Sequence, residues 1–143
     1  MTCQPRNRYR SAQRGTALIE FALVLPILLV ITLAGLDLGR AFLAKNVLHQ
    51  AAREGVRMRV VMTTAYFENL GGAAAVDARV RQVALGGGLT PNSVIIGGPD
   101  AAKYDSVSVT APFTFTFPLL FKVVGMNLTN PMPLTATCYM RQE

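Results

Sequence analysis

From Thr16 to Leu36 the chain reads TALIEFALVLPILLVITLAGL, and sixteen of these twenty-one residues are Ala, Val, Ile, Leu or Phe. At about 1.5 Å of rise per residue, a helix over that run spans roughly 30 Å, the thickness of a bilayer's hydrocarbon core. The run therefore predicts a transmembrane helix, and the rest of the chain must be arranged around it. Glu20 is its only charge. Pro26 removes one backbone hydrogen bond, which a membrane helix accommodates with a bend and not an end.

Four of the fourteen basic residues, Arg6, Arg8, Arg10 and Arg14, precede the run with no acid among them. The positive-inside bias then holds the amino terminus in the cytoplasm and sends the residues after 36 to the other side. The formal charge is +6, but from residue 16 onward ten basic residues face eight acidic ones, a net of +2. So diffuse a charge is a poor footprint for nucleic acid, and none is expected as a partner. Cys3, Cys138 and His49 form no CxxC, HExxH or His/Cys cluster, so neither a metal nor a cofactor is expected. With one histidine and no nucleophile motif there is no recognisable catalytic site and no small-molecule substrate to assign. A basic start, an apolar run and Thr32-Leu33-Ala34 also fit a cleavable secretory signal, whose product would begin at Gly35. Against that reading stand the length of the run and Glu20, a carboxylate that insertion into lipid penalises unless it is neutralised or paired.

Around that glutamate the chain reads Arg14-Gly15-Thr16-Ala17-Leu18-Ile19-Glu20-Phe21: a basic leader, a glycine, four small or apolar residues, an acid, an aromatic, then the apolar helix. The segment resembles the prepilin peptidase site of type IV pilin-like proteins, and most of all the TadE-like subfamily of the tight-adherence (Tad, or Flp) pilus system. Asp37-Leu38-Gly39-Arg40 and Ala51-Ala52-Arg53-Glu54-Gly55-Val56-Arg57 extend the resemblance, which is good over residues 14 to 60 and loose beyond, where Pro118 to Phe121 and Thr135 to Glu143 are similar in type.

The resemblance implies that an integral-membrane aspartic peptidase, the prepilin peptidase, cuts between Gly15 and Thr16 on the cytoplasmic face. Glycine suits that position because no side chain obstructs the approach of a protease. Thr16 becomes the new amino terminus and Glu20 the fifth mature residue, about one helical turn away. Within a chain or between neighbours, the ammonium and the carboxylate offset each other's burial, so Glu20, followed by Phe21, sets the register of an incoming subunit. The other implied partners are the lipid bilayer, further pilin subunits and inner-membrane pilus assembly proteins. The implied location is the inner membrane, single-pass, with the carboxy-terminal domain outside the cytoplasm or carried into an extracellular pilus used for surface attachment. A sizeable carboxy-terminal region and the lack of the glutamate-tyrosine pair of the major Flp subunit point to a minor pilin or pseudopilin. The alternative is an unprocessed, membrane-anchored extracytoplasmic binding module.

Beyond Leu36 the apolar pattern becomes amphipathic without a break, since Ala44, Leu48, Ala51, Gly55, Met58 and Met62 recur at spacings of four and three. These mostly small residues make one packing face, for a neighbouring helix or for the chain's own carboxy-terminal domain. Asp37 with Arg40 and Glu54 with Arg57 are expected as weak surface pairs. Thr63 to Gly72 reads as a connection; Ala73 to Leu85 reads as a second helix, with Val76, Val80 and Val83 on one face, an Asp77 to Arg81 pair, and a stop at Gly86-Gly87-Gly88.

Strands are expected at Ser93 to Ile96, from Ser106 through Thr110 toward Phe117, and at Leu134 to Arg141. In Phe113-Thr114-Phe115-Thr116-Phe117 the alternation puts the phenylalanines on the core side of a half-buried strand. Pro118 to Pro133 is an exposed loop and a candidate contact surface, and Cys138 is a free thiol, buried or linked between molecules, with burial favoured. The predicted fold class is α+β: a basic leader over 1–15, a transmembrane helix over 16–36, its amphipathic continuation over 37–62, and a small domain over 63–143 with an antiparallel sheet and a short second helix. The whole is a pilin-like lollipop.

Overall fold

The computed structural model describes residues 9–62, 67, 71–98, 104–118, 122, 125, 127 and 129–141, with side chains described from residue 16 onward. Helix α1, Tyr9–Val61, is 53 residues long, on the order of 80 Å. It begins seven residues before the expected start because Tyr9 to Arg14 contains no helix breaker. Pro26 lies inside it without ending it. Within the apolar run, Thr32 returns its hydroxyl to the Leu28 carbonyl, 2.8 Å away, so this polar side chain needs no partner outside its own helix.

Helix α2, Gly72–Gly86, follows a connection that lies almost wholly outside the described residues. It ends where the glycine triplet predicts. The Leu89 amide reaches the Ala84 carbonyl at 3.0 Å and the Gly88 amide reaches Leu85 at 2.9 Å, while Gly88 takes a φ of +77°. That is a Schellman-type close, which needs a residue free of the left-handed penalty at this position.

Strands β1 (Ser93–Gly97), β2 (Tyr104–Phe113) and β3 (Met132–Arg141) form an antiparallel sheet in the order β1-β2-β3. The register sets Ile95 opposite Ser108 and Val109 opposite Ala136. One face of the sheet is apolar: Val107, Val109 and Ala111 of β2 and Ala136 of β3 pack with Leu48, Ala51, Ala52 and Val56 of α1 and with Val76, Val80 and Ala84 of α2. Ala44, Phe113 and Phe115 form a second cluster toward the stalk. The opposite face carries hydroxyls, with Ser108 bonded to Thr137 at 2.8 Å and Thr110 to Thr135 at 3.0 Å.

The expected strand bounds and the place of Phe117 need correction. β2 ends at Phe113 and does not run on toward Phe117. The alternation persists one step further, with Phe115 buried, because the Asn130 side chain accepts from the Phe115 amide at 3.2 Å and donates to its carbonyl at 3.4 Å, replacing a strand partner. Phe117 is 37% exposed and is not part of the core. β1 is one residue longer than expected, and β3 begins at Met132 and not at Leu134. Seven residues of the Pro118 to Pro133 loop fall outside the described ones, and those described from Lys122 onward are exposed, as expected of the loop.

Candidate functional site

The apolar stalk is the first candidate. Of its large side chains, Leu18, Ile19, Phe21, Leu23, Val24, Ile27, Leu28, Ile31 and Leu36 are exposed, and the most apolar window of the helix is entirely uncovered by the rest of the chain. One apolar helix near the amino terminus with no protein cover fits a single-pass membrane protein. Gly15 and Thr16 lie within α1, and Thr16 and Glu20 are four residues apart along it. Glu20 and Phe21 are exposed, and the folded domain reaches neither.

The packing residues further along behave differently. Ala44, Leu48, Ala51 and Gly55 are buried beneath the chain's own sheet and α2, while Met58 and Met62 are half-buried at the margin of that core. Gly55 shows how tight the contact is: a Cβ there would stand 2.4 Å from Val80 Cγ2 and 3.2 Å from Val107 Cγ1. This face thus belongs to the intrachain core, and the surface left open to a neighbour is the apolar run together with the outer side of the stalk.

The junction between stalk and domain is the second candidate, and sequence reasoning missed it. Asp37, expected in a surface pair, is only 1% exposed. Its carboxylate accepts from the amides of Phe117 at 2.9 Å and Thr116 at 3.2 Å and lies 3.3 Å from Arg40 Nη1. Arg40 also donates to the Thr116 hydroxyl and lies 5.7 Å from the centre of the Phe113 ring. Burial is the largest single influence on the Asp37 carboxyl and pushes its pKa up. The two backbone amides, the Thr116 hydroxyl and the Arg40 charge together outweigh it, so the group titrates below its ordinary value. The chemistry is that of a clamp: one ionised oxygen pair ties the end of the sheet to the stalk where the apolar run stops.

A second buried pair lies at the far end of the core. Arg59 and Asp105 are 2% and 0% exposed, with Arg59 Nε 3.8 Å from Asp105 Oδ1 and the guanidinium 3.7 Å from the centre of the Phe67 ring. Spacing alone could have flagged Asp37 and Arg59 as lying on the packed side of α1, though not the residues that meet them. Asp37 precedes Ala44 by seven and Leu48 by eleven, and Arg59 follows Ala52 by seven and Gly55 by four, so each charge falls on the buried stripe of α1. Glu54 reaches across to Arg79 of α2 at 3.0 Å instead of pairing with Arg57, because α2 packs beside it. Asp77 and Arg81 pair within α2 at 2.7 Å as expected. Cys138 is a free, half-buried thiol whose Sγ lies 3.7 Å from the His49 carbonyl of α1. Among the described residues, no three His, Cys, Asp or Glu side chains converge.

With this geometry in place, residues 15–57 match the model of a family described as TadE-like protein. The matched segment opens at Gly15, contains Glu20 and the exposed apolar run, crosses the Asp37 clamp, and closes at the buried Val56 and the exposed Arg57. No curated protein and no solved structure gives a significant match to the chain.

Proposed function

We propose that this chain, TadE-like over residues 15–57, is a minor pilin or pseudopilin that is trimmed after Gly15 by a prepilin peptidase and takes part in assembling a tight-adherence pilus for surface attachment. One observation carries the reading: the family match coincides with a membrane-length apolar run whose side chains are open and whose only charge between Thr16 and Leu36 is an exposed Glu20. An uncovered apolar helix is stable in lipid or against other helices, and a lone carboxylate near its start is stable only with a cation to meet it. The ammonium created by cutting before Thr16 supplies such a cation. The protein acts without catalysis of its own, through insertion, cleavage and lateral packing of stalks, with the amino terminus cytoplasmic and the folded domain outside. The peptidase, sister pilins and the inner-membrane assembly machinery are its partners.

The intact mass of the chain extracted from membranes of a cell carrying its native secretion genes tests this directly. A product beginning at Thr16 supports the reading, and Gly15→Leu should then accumulate at full length. A product beginning at Gly35 would make it a secreted domain. Full-length chain in cells with an active peptidase would favour an anchored binding module.

A further inference from the structure

The clamp at Asp37 fixes one part of the domain at a definite height on the stalk. Measured from Leu18, the first large exposed apolar side chain of the described stalk, a hydrocarbon core of roughly 30 Å ends about twenty residues later, at the level of Asp37 and Leu38. The Asp37 carboxylate holds the Phe117 amide at 2.9 Å and the Thr116 amide at 3.2 Å, so the corner after β2 sits at that same level. Phe117 is 37% exposed there, followed by the half-buried Pro118. On the stalk beside it, Leu36 and Leu38 are exposed and continue the open apolar surface without a gap. Arg40, one turn above Asp37, has a side chain that is 53% exposed even while it bonds Asp37 and Thr116.

An aromatic ring, a proline and a cation at the depth where hydrocarbon gives way to headgroups are the chemistry of an interfacial anchor. The ring gains from burial at the acyl boundary, and a guanidinium bonds phosphate oxygens with donors left over from its protein partners. We propose that the base of the domain, Phe117 and Pro118 with Arg40, rests in the headgroup layer of the bilayer that α1 crosses, and that Asp37 positions it there. This surface is continuous with the lipid-facing side of the stalk, and its charge is opposite to that of lipid phosphate. The inference rests on α1 spanning a membrane but not on which side the domain lies.

The chain has no tryptophan, so single tryptophans report depth without background. The full chain is reconstituted in phosphatidylcholine and phosphatidylglycerol vesicles bearing brominated acyl chains, with Phe117→Trp, Tyr139→Trp on the exposed sheet face, or Leu28→Trp in mid-stalk. The expected result for Phe117→Trp is blue-shifted emission, stronger quenching by shallow than by deep bromines, and a depth of roughly 5–10 Å into the boundary region. Tyr139→Trp should be unquenched, and Leu28→Trp quenched most by deep bromines. If Phe117→Trp behaves like Tyr139→Trp while Leu28→Trp is deeply quenched, the anchor is wrong and the spanning helix stands. If Leu28→Trp is not quenched, the spanning reading fails and the anchor with it. Adding Asp37→Asn to Phe117→Trp should reduce the shallow quenching, with circular dichroism verifying that the variant is folded; unchanged quenching would overturn the positioning role of Asp37.

Discussion

Asp37 is the residue on which the lower half of the domain depends. Its carboxylate satisfies two backbone amides that the end of β2 leaves without strand partners, and because Thr116 and Phe117 are exposed, losing that acceptor costs less than the roughly 1–3 kcal/mol of a fully buried amide. Asp37→Ala should therefore lower the unfolding free energy of the detergent-solubilised protein by roughly 1–2 kcal/mol, measured by thermal or chemical denaturation. The pH dependence follows from the direction of its shift. A carboxyl with a depressed folded pKa contributes stability that is complete above the ordinary Asp value and is lost as pH falls through the folded value. The melting temperature should thus drop below about pH 4, and Asp37→Asn should flatten that limb of the curve relative to the native chain. An unchanged acid limb in Asp37→Asn would show that some other carboxyl carries it.

At the scale of elements, α1, α2 and the sheet meet through small side chains, and Gly55 is the point of closest approach. Gly55→Ala puts a methyl into space held by Val80 and Val107, side chains of α2 and β2 that cannot both yield in a packed core. A destabilisation of about 1–3 kcal/mol is expected, more than a helix gains by exchanging glycine for alanine. The Arg59, Asp105 and Phe67 group joins α1 to β2 at the opposite end. Arg59→Ala strips a fully buried carboxylate of the guanidinium it faces and should lower stability by about 3–5 kcal/mol, whereas the double variant Arg59→Met/Asp105→Leu should recover most of the loss. A double-mutant cycle with no coupling between the two positions would contradict this account.

For the whole molecule, the open apolar run and the covered stripe divide one helix between two environments. Alkaline carbonate should leave the chain in the membrane pellet and detergent should release it, since no protein surface shields Leu18 to Leu36. Glu20→Ala should leave insertion intact but sharply reduce piliation, counted by electron microscopy of surface fibres, because insertion needs only the apolar run whereas the register role proposed for Glu20 needs the charge. Normal piliation in Glu20→Ala would remove the register role proposed for that side chain.

Much of this architecture was legible in the chain itself. The stalk, its continuation past Leu36, the second helix with its glycine stop, and the three strands could be read because run length, periodicity and end signals are properties of neighbouring residues. Gly15, Glu20 and Phe21 were singled out through the family resemblance, and the roles proposed for them rest on it. The stripe from Ala44 to Met62 was visible as a packing face, yet the sequence left open whether a neighbour or the chain's own domain would cover it. The tertiary structure assigned it to the domain. It also turned Asp37 from a surface charge into a buried clamp, stopped β2 at Phe113, and drew Glu54 to Arg79. Each of these outcomes hangs on residues distant in the chain, 79 and 80 positions apart for the Asp37 bonds and 25 for Glu54 to Arg79. Local pattern fixes which side of a helix is apolar, but burial of a charge depends on what folds back to meet it.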